Sequence, residues 1–142
     1  MTDSLTTTPL DVVDGIAAYR ISGKAGFDAV VRQVTSVIEQ AVVLSHDRCL
    51  IDGRDLVGFA SPSIAARHQM VRAWAGAARG RIHCALVVRP ELIDHERFGV
   101  LAGHNFGLHS EVFATHDDAF AWLKAQASHI PDLDAPVGHR TP

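Results

Sequence analysis

The run Ile82 to Val88, IHCALVV, is apolar at nearly every position. A strand with one face in water alternates apolar and polar residues, whereas a run without alternation has both faces covered. In a soluble chain that condition belongs to a central strand of a parallel sheet flanked by helices. Cys49-Leu50-Ile51 is a shorter run of the same kind, and Arg48 to Ile51 reads as a second buried strand. The chain between such strands has to cross over the sheet, so helical signals are expected between them.

They are there. Phe27, Val30, Val31, Val34, Val37, Ile38, Ala41 and Val42 recur at steps of three and four, which lays one apolar stripe along a helix. A second helix is expected over about Pro62 to Arg79, with Ser61 as its cap, Pro62 in its first turn and Gly80 at its end. Asp94 caps a third, in which Phe98, Leu101, Ala102 and Asn105 share a face. His109 to Ala114 reads as the last strand, and Thr115-His116-Asp117-Asp118 is a capping box opening a helix that turns Phe120 and Leu123 inward. Ahead of all this, Leu10 to Val13 and Ile16 to Ile21 flank Asp14-Gly15, a dipeptide suited to a tight hairpin turn. The order predicts one α/β domain: a mainly parallel sheet with an N-terminal β-hairpin, right-handed crossovers and helices packed on the sheet. The domain is expected over 9–127, with 1–8 as a flexible N-terminus and 128–142, which holds three prolines and little apolar material, as a loosely ordered tail.

A chain of 142 residues suits one domain, and 47% hydrophobic residues suffice for a packed core. Sixteen acidic against thirteen basic residues give a net charge of -3, so no basic field draws in nucleic acid. No apolar run reaches the roughly 20 residues of a membrane span, and MTDSLTTTP lacks the pattern of a signal peptide. A cytoplasmic location without membrane insertion is the expectation. Cys49 and Cys84 lack CxxC spacing and read as reduced core thiols.

Three stretches carry a family resemblance: LIDGRDLVGFASPS, RIHCALVVRPELIDHERFGV and EVFATHDDAFAWL. Together with the element order they resemble the STAS superfamily of anti-sigma factor antagonists, and within it the SpoIIAA-like branch of small stand-alone bacterial proteins. The resemblance implies a non-catalytic module that binds a partner protein or a small ligand. In the antagonist subgroup a serine at the start of the helix after this loop is phosphorylated; here it falls on Ser61, or on Ser63. The antagonist pattern has an acidic residue, a serine pair and a glycine, whereas this chain reads Ala60-Ser61-Pro62-Ser63.

The expected contact surface follows from strand polarity. Ligands and partners of open α/β sheets sit at the carboxyl ends of the strands. Asp52, Arg54, Phe59, Ser61 and Ser63 leave the first buried strand there, and Arg89, Glu91 and Asp94 leave the central one. A phosphate on Ser61 adds negative charge at a helix start, where free amides stabilise it and a docked partner meets repulsion. Ser61 has a sufficient structural role as the cap, and Arg89 a sufficient one in pairing with Glu91 or Asp94. A second reading places a small, lipid-like ligand in a cleft between the 52–63 and 89–94 segments, walled by Phe59, Phe98, Leu101 and Phe106; those aromatics equally suit the core.

No other chemistry has a pattern. The nine histidines form no HExxH and no zinc-finger spacing, so neither a metal nor another cofactor is expected. GxSxG is absent, and GKAGF is not a phosphate loop. Trp74, with Met70 and Val71, is either a patch for homodimer contact or part of the monomer's packing.

Overall fold

Five strands form one sheet in simple sequential order: β1 (Ser4–Pro9), β2 (Ala17–Lys24), β3 (Arg48–Val57), β4 (His83–Val87) and β5 (His109–Phe113). β1 is antiparallel to β2, and every later neighbour is parallel. The structure, a computed structural model, describes residues 4–59, 62–90 and 109–126. The helices among these residues are α1 (Phe27–Val43), α2 (Ile64–Ala78) and α3 (His116–Ala125).

Period-two alternation divides the core into two layers. Tyr19, Ile21, Cys49, Ile51, Cys84, Leu86 and Val112 face α1 and α2, while Ala18, Leu50, Ala85 and Val87 face α3 through Ala119 and Leu123. After His83, β4 is apolar because it lies between those layers, which is the reason its sequence shows no alternation. The stripe on α1 is buried as its spacing predicts, at Val30, Val34, Val37, Ile38 and Ala41. Thr115 caps α3 by accepting the Asp118 amide at 3.1 Å.

The hairpin forms with its turn at the expected dipeptide. Asp14 and Gly15 both have positive φ, 53° and 76°, the handedness that matches the twist of paired strands. Its first arm differs from the expectation. Leu10 to Val13 makes only a bridge at Val13 and Ile16 and one amide bond from Leu10 to Ala18, and Val12 and Val13 are exposed. The regular pairing lies earlier, where Ser4 to Pro9 runs antiparallel to Lys24 to Tyr19. Residues 4–8 are therefore strand rather than a flexible lead-in. Threonine favours a half-buried pleated surface, and the Thr7 hydroxyl accepts a hydrogen bond from the Gln33 side chain of α1.

One further boundary moves. α2 begins after Ser63, whose Oγ accepts the Ala66 amide at 3.1 Å, so Ser63 and not Ser61 is its cap and Pro62 precedes the helix. At its other end Arg79 and Gly80 are both left-handed, φ 56° and 66°, so the helix stops where Gly80 was expected to end it. Trp74, Met70 and Val71 are not a surface patch. They are buried against α1, with Trp74 6% exposed and its indole N–H donating to the Val31 carbonyl at 3.3 Å.

Glu91, Asp94, Ser61, the helix expected from Asp94 with Phe98, Leu101 and Phe106, and the tail from 128 lie outside the described residues.

Candidate functional site at the carboxyl rim of the sheet

The segment after Ile51 is not a loop. β3 continues through Asp52, Gly53, Arg54 and Asp55 to Val57, paired with β2 alone beyond Asp52, where its pairing with β4 ends at Val87. Between Arg20 and Ser22 of β2 there is one intervening residue, whereas their partners Asp52 and Asp55 are separated by two. The extra residue makes a β-bulge, a device that bends a strand at the edge of a site.

Asp52 holds that bulge. Its Oδ1 accepts both the Arg54 backbone amide at 3.1 Å and Arg54 Nε at 3.0 Å, and its Oδ2 accepts Arg54 Nη2 at 2.7 Å. The carboxylate is 3% exposed, while the Arg54 side chain reaches solvent at 39%. Burial alone pushes the Asp52 carboxyl up; the hydrogen bonds from Arg54 and the charges of Arg54 and Arg20 outweigh it, and the group titrates below its usual range. Asp52 is thus spent inside the protein.

Alternation also separates the expected site into two faces. Asp52 pairs in register with Arg20 and Val87, so it shares the α3 side of the sheet. Phe59 lies on the other side, packed on Phe27 at 6.0 Å between ring centroids. There a pocket of about 50 Å³ is lined by Phe27, Gly53, Leu56, Phe59, Trp74 and Val88, among others. Phe27 and Trp74 join Phe59 in lining it, while the other expected wall residues lie outside the described ones; the periodic stripe of α1, with Phe27 at its head, was the available signal. Sites for small ligands commonly measure roughly 300 to 1,000 Å³, so the space bounded by the described residues is smaller than such a site.

The floor of the rim is tight. Ala25 donates its amide to the Val57 carbonyl at 3.0 Å, and Gly58, at φ 99°, turns the chain over it. A Cβ at Gly58 would stand 3.0 Å from the Ala25 nitrogen and 3.2 Å from its carbonyl oxygen, so only glycine fits. The exposed Ser63 follows this turn and opens α2; Val57 at the end of β3 and Ile64 at the start of α2 are also exposed. Because β3 and β4 are parallel, Arg89, half-buried just after β4, emerges at the same end as Ser63. The Arg89 Nε is buried without a hydrogen-bond partner among the described residues.

Elsewhere among the described residues there is little reactive chemistry. Cys49 and Cys84 are register partners, buried with their sulfurs 3.5 Å apart; their mutual hydrogen bond and burial raise the Cys49 thiol well above its usual value. Among the described residues no three histidine, cysteine or carboxylate side chains gather as metal ligands. No helix of the described residues is long and apolar enough to cross a membrane.

No family model matches the chain, and neither does any curated protein. Solved structures do. An anti-sigma factor antagonist from Mycobacterium paratuberculosis superposes with a TM-score of 0.56 at 19% identity, covering 85% of this chain and 95% of that one. The chain has a SpoIIAA-like fold. A second structure, an uncharacterised DUF3478-family protein with a SpoIIAA-like fold from Shewanella loihica PV-4, superposes with a TM-score of 0.50 at 21% identity, covering 87% of this chain and 96% of that one. In this fold the rim described above is where β3 hands over to α2.

Proposed function

We propose that the protein is a non-catalytic regulatory module of the STAS type that binds a protein partner through the end of β3 and the start of α2. Arg54, Phe59 and Ser63 contribute to that surface, Ser61 continues it, and Arg89 with Glu91 and Asp94 borders it. The observation that carries the reading is Ser63: an exposed hydroxyl capping a helix at the carboxyl rim, followed in sequence by the exposed apolar Ile64. The likeness to an anti-sigma factor antagonist supports it. Under this reading the protein acts in the bacterial cytoplasm, and phosphorylation of Ser63 or Ser61 is the switch.

The cap makes the switch testable without confusing charge and folding. Aspartate caps a helix about as well as serine, while alanine costs about 1 kcal/mol. Ser63→Asp therefore keeps stability and adds charge, and Ser63→Ala loses stability and adds none. Loss of the partner in Ser63→Asp with unchanged melting, set beside retained binding in Ser63→Ala, is the expected result. Equal binding by Ser63→Asp, Ser61→Asp and the unsubstituted protein would count against a switch at this rim.

A further inference from the structure

β1 is the edge of the described sheet, paired with β2 on one side only. The Leu10 amide donates to the Ala18 carbonyl at 2.8 Å, and that pair continues the register of Thr8 with Arg20 and Thr6 with Ser22. Alternate residues of an antiparallel ladder bond to the neighbouring strand, so the even-numbered residues face β2 while Leu5, Thr7 and Pro9 turn their backbone groups outward. Pro9 fits there because it has no amide to offer. The side chains divide by face. Leu5 packs on the layer beneath α1 and Thr7 accepts from Gln33, while Ser4, Thr6 and Thr8 are exposed.

An open edge invites strand pairing, and proteins blunt it with charged side chains, above all lysine. Ser4–Pro9 carries no charge. Nor does the flank of α1 above it: Gln33 sets that flank over Thr7, and the exposed Ser36 and Gln40, three and seven residues on, share it.

The edge is also complementary to itself. A two-fold axis at Thr6 sets Leu5 opposite Thr7 of a second copy, so the outward amide of each meets the outward carbonyl of the other. Thr6 then faces its own counterpart and Ser4 faces Thr8, hydroxyl pairs that stabilise adjoining strands. α1 borders β1 and β3 alike and so lies over β2. From β2 to the second copy's β2 is three strand spacings, about 14 Å. Packed helices stand roughly 8 to 10 Å apart, so the two α1 helices do not collide. Arg20 and Lys24 of the second copy are separated by about the same 14 Å, beyond the ~8 Å over which salt screens exposed charges. Such a contact closes on two copies, whereas β1 on β5 would be head-to-tail and leave both ends open.

We infer that two copies of this protein join edge to edge through β1, with Thr6 at the two-fold axis, and make one continuous sheet. The carboxyl rims of the two copies point in opposite directions, so this pairing stands whether or not the rim docks a partner.

The register makes the test specific. Across the axis Thr6 and its counterpart form a pair without backbone bonds, whose Cα atoms stand about 4.5 Å apart, within the span of a disulfide. With a soluble disulfide as oxidant, the whole protein carrying Thr6→Cys is expected to give a covalent dimer, while the buried Cys49 and Cys84 stay out of reach. Thr8→Cys should give none by itself, but a mixed dimer with Ser4→Cys. Sedimentation of the unsubstituted protein should show a mass that rises with concentration from one chain toward two. Thr6→Lys, which sets two charges face to face at the axis, should return it to one chain with unchanged melting; Thr7→Pro, which removes an outward amide, should do the same, and a thermal melt separates lost pairing from lost folding. A mass of one chain at every concentration overturns the inference. So does a dimer that survives Thr6→Lys, a covalent dimer from Thr8→Cys alone, or an edge that takes a strand of another protein and never its own.

Discussion

Removing the carboxylate of Asp52 tests how the rim is held. The side chain accepts three hydrogen bonds from Arg54, and it is almost wholly buried. Hydrogen bonds to a charged group contribute about 1.5 to 3 kcal/mol each when buried, but the Arg54 side chain is 39% exposed and recovers hydration, so its share is heavily discounted. Asp52→Ala should then cost about 2 kcal/mol, lowering the melting temperature of a domain this size by roughly 6 to 8 °C. The double-mutant cycle with Arg54→Met should show a coupling of about 1 kcal/mol. The sign with pH follows from the lowered titration of Asp52. Its contribution is complete above the unfolded value of 3.8 and is lost as pH falls through the lower folded value, so the gap between variant and parent should close below 3.8. Urea denaturation across pH measures both. A coupling near zero, or a gap that does not change with pH, would refute the assignment of Asp52 as the fastening of the bulge.

Three other outcomes are expected. Arg48 donates to the Leu123 carbonyl at 3.3 Å and the Asp14 carbonyl at 2.8 Å, tying the end of α3 to the hairpin turn; Arg48→Met should cost about 1 to 3 kcal/mol and speed amide exchange in α3 while sparing α1. Cys49 and Cys84 should resist a thiol reagent in the native protein and react together once it is unfolded, since both are buried; rapid native labelling of either would contradict that burial. Burial chiefly, with repulsion from His109 and Arg48 and partial relief from Asp47, lowers the titration of His83, which also packs on Trp122. The unfolded chain then takes up a proton near pH 6.5 that the folded chain refuses, so stability falls as pH drops below 6.5 and His83→Leu should flatten that slope in a urea series.

The sheet, its parallel sense and two of its helices were legible because each rests on a local pattern. Ile82 to Val88 lacked alternation, Phe27 to Val42 kept a helical period, and Thr115 to Asp118 spelled a cap. What could not be read was the continuation of β3. Asp52-Gly53-Arg54-Asp55 has the composition of a turn, and it stays extended only because Asp52 folds back on Arg54 and β2 pairs alongside, both tertiary facts. Ser61 and Ser63 are equivalent caps by residue type, and the turn at Gly58 against Ala25 precedes the choice of the second. Trp74 was ambiguous for the same reason: its period fits either face until α1 covers it. Of the expected site, Phe59, Ser63 and Arg89 stand at the rim, while Asp52 turns inward on the α3 side with Arg54 held beside it.

A photo-activated cross-linker placed in living cells tests the docking rim most directly. Ile64, 62% exposed, opens α2 at the carboxyl end of the sheet, and Val43, 80% exposed, closes α1 at the opposite end, so the two report on surfaces that one partner cannot share. A discrete protein adduct from Ile64, absent from Val43 and lost in Ser63→Asp, is the predicted result. An adduct from Val43 with none from Ile64 would contradict the account.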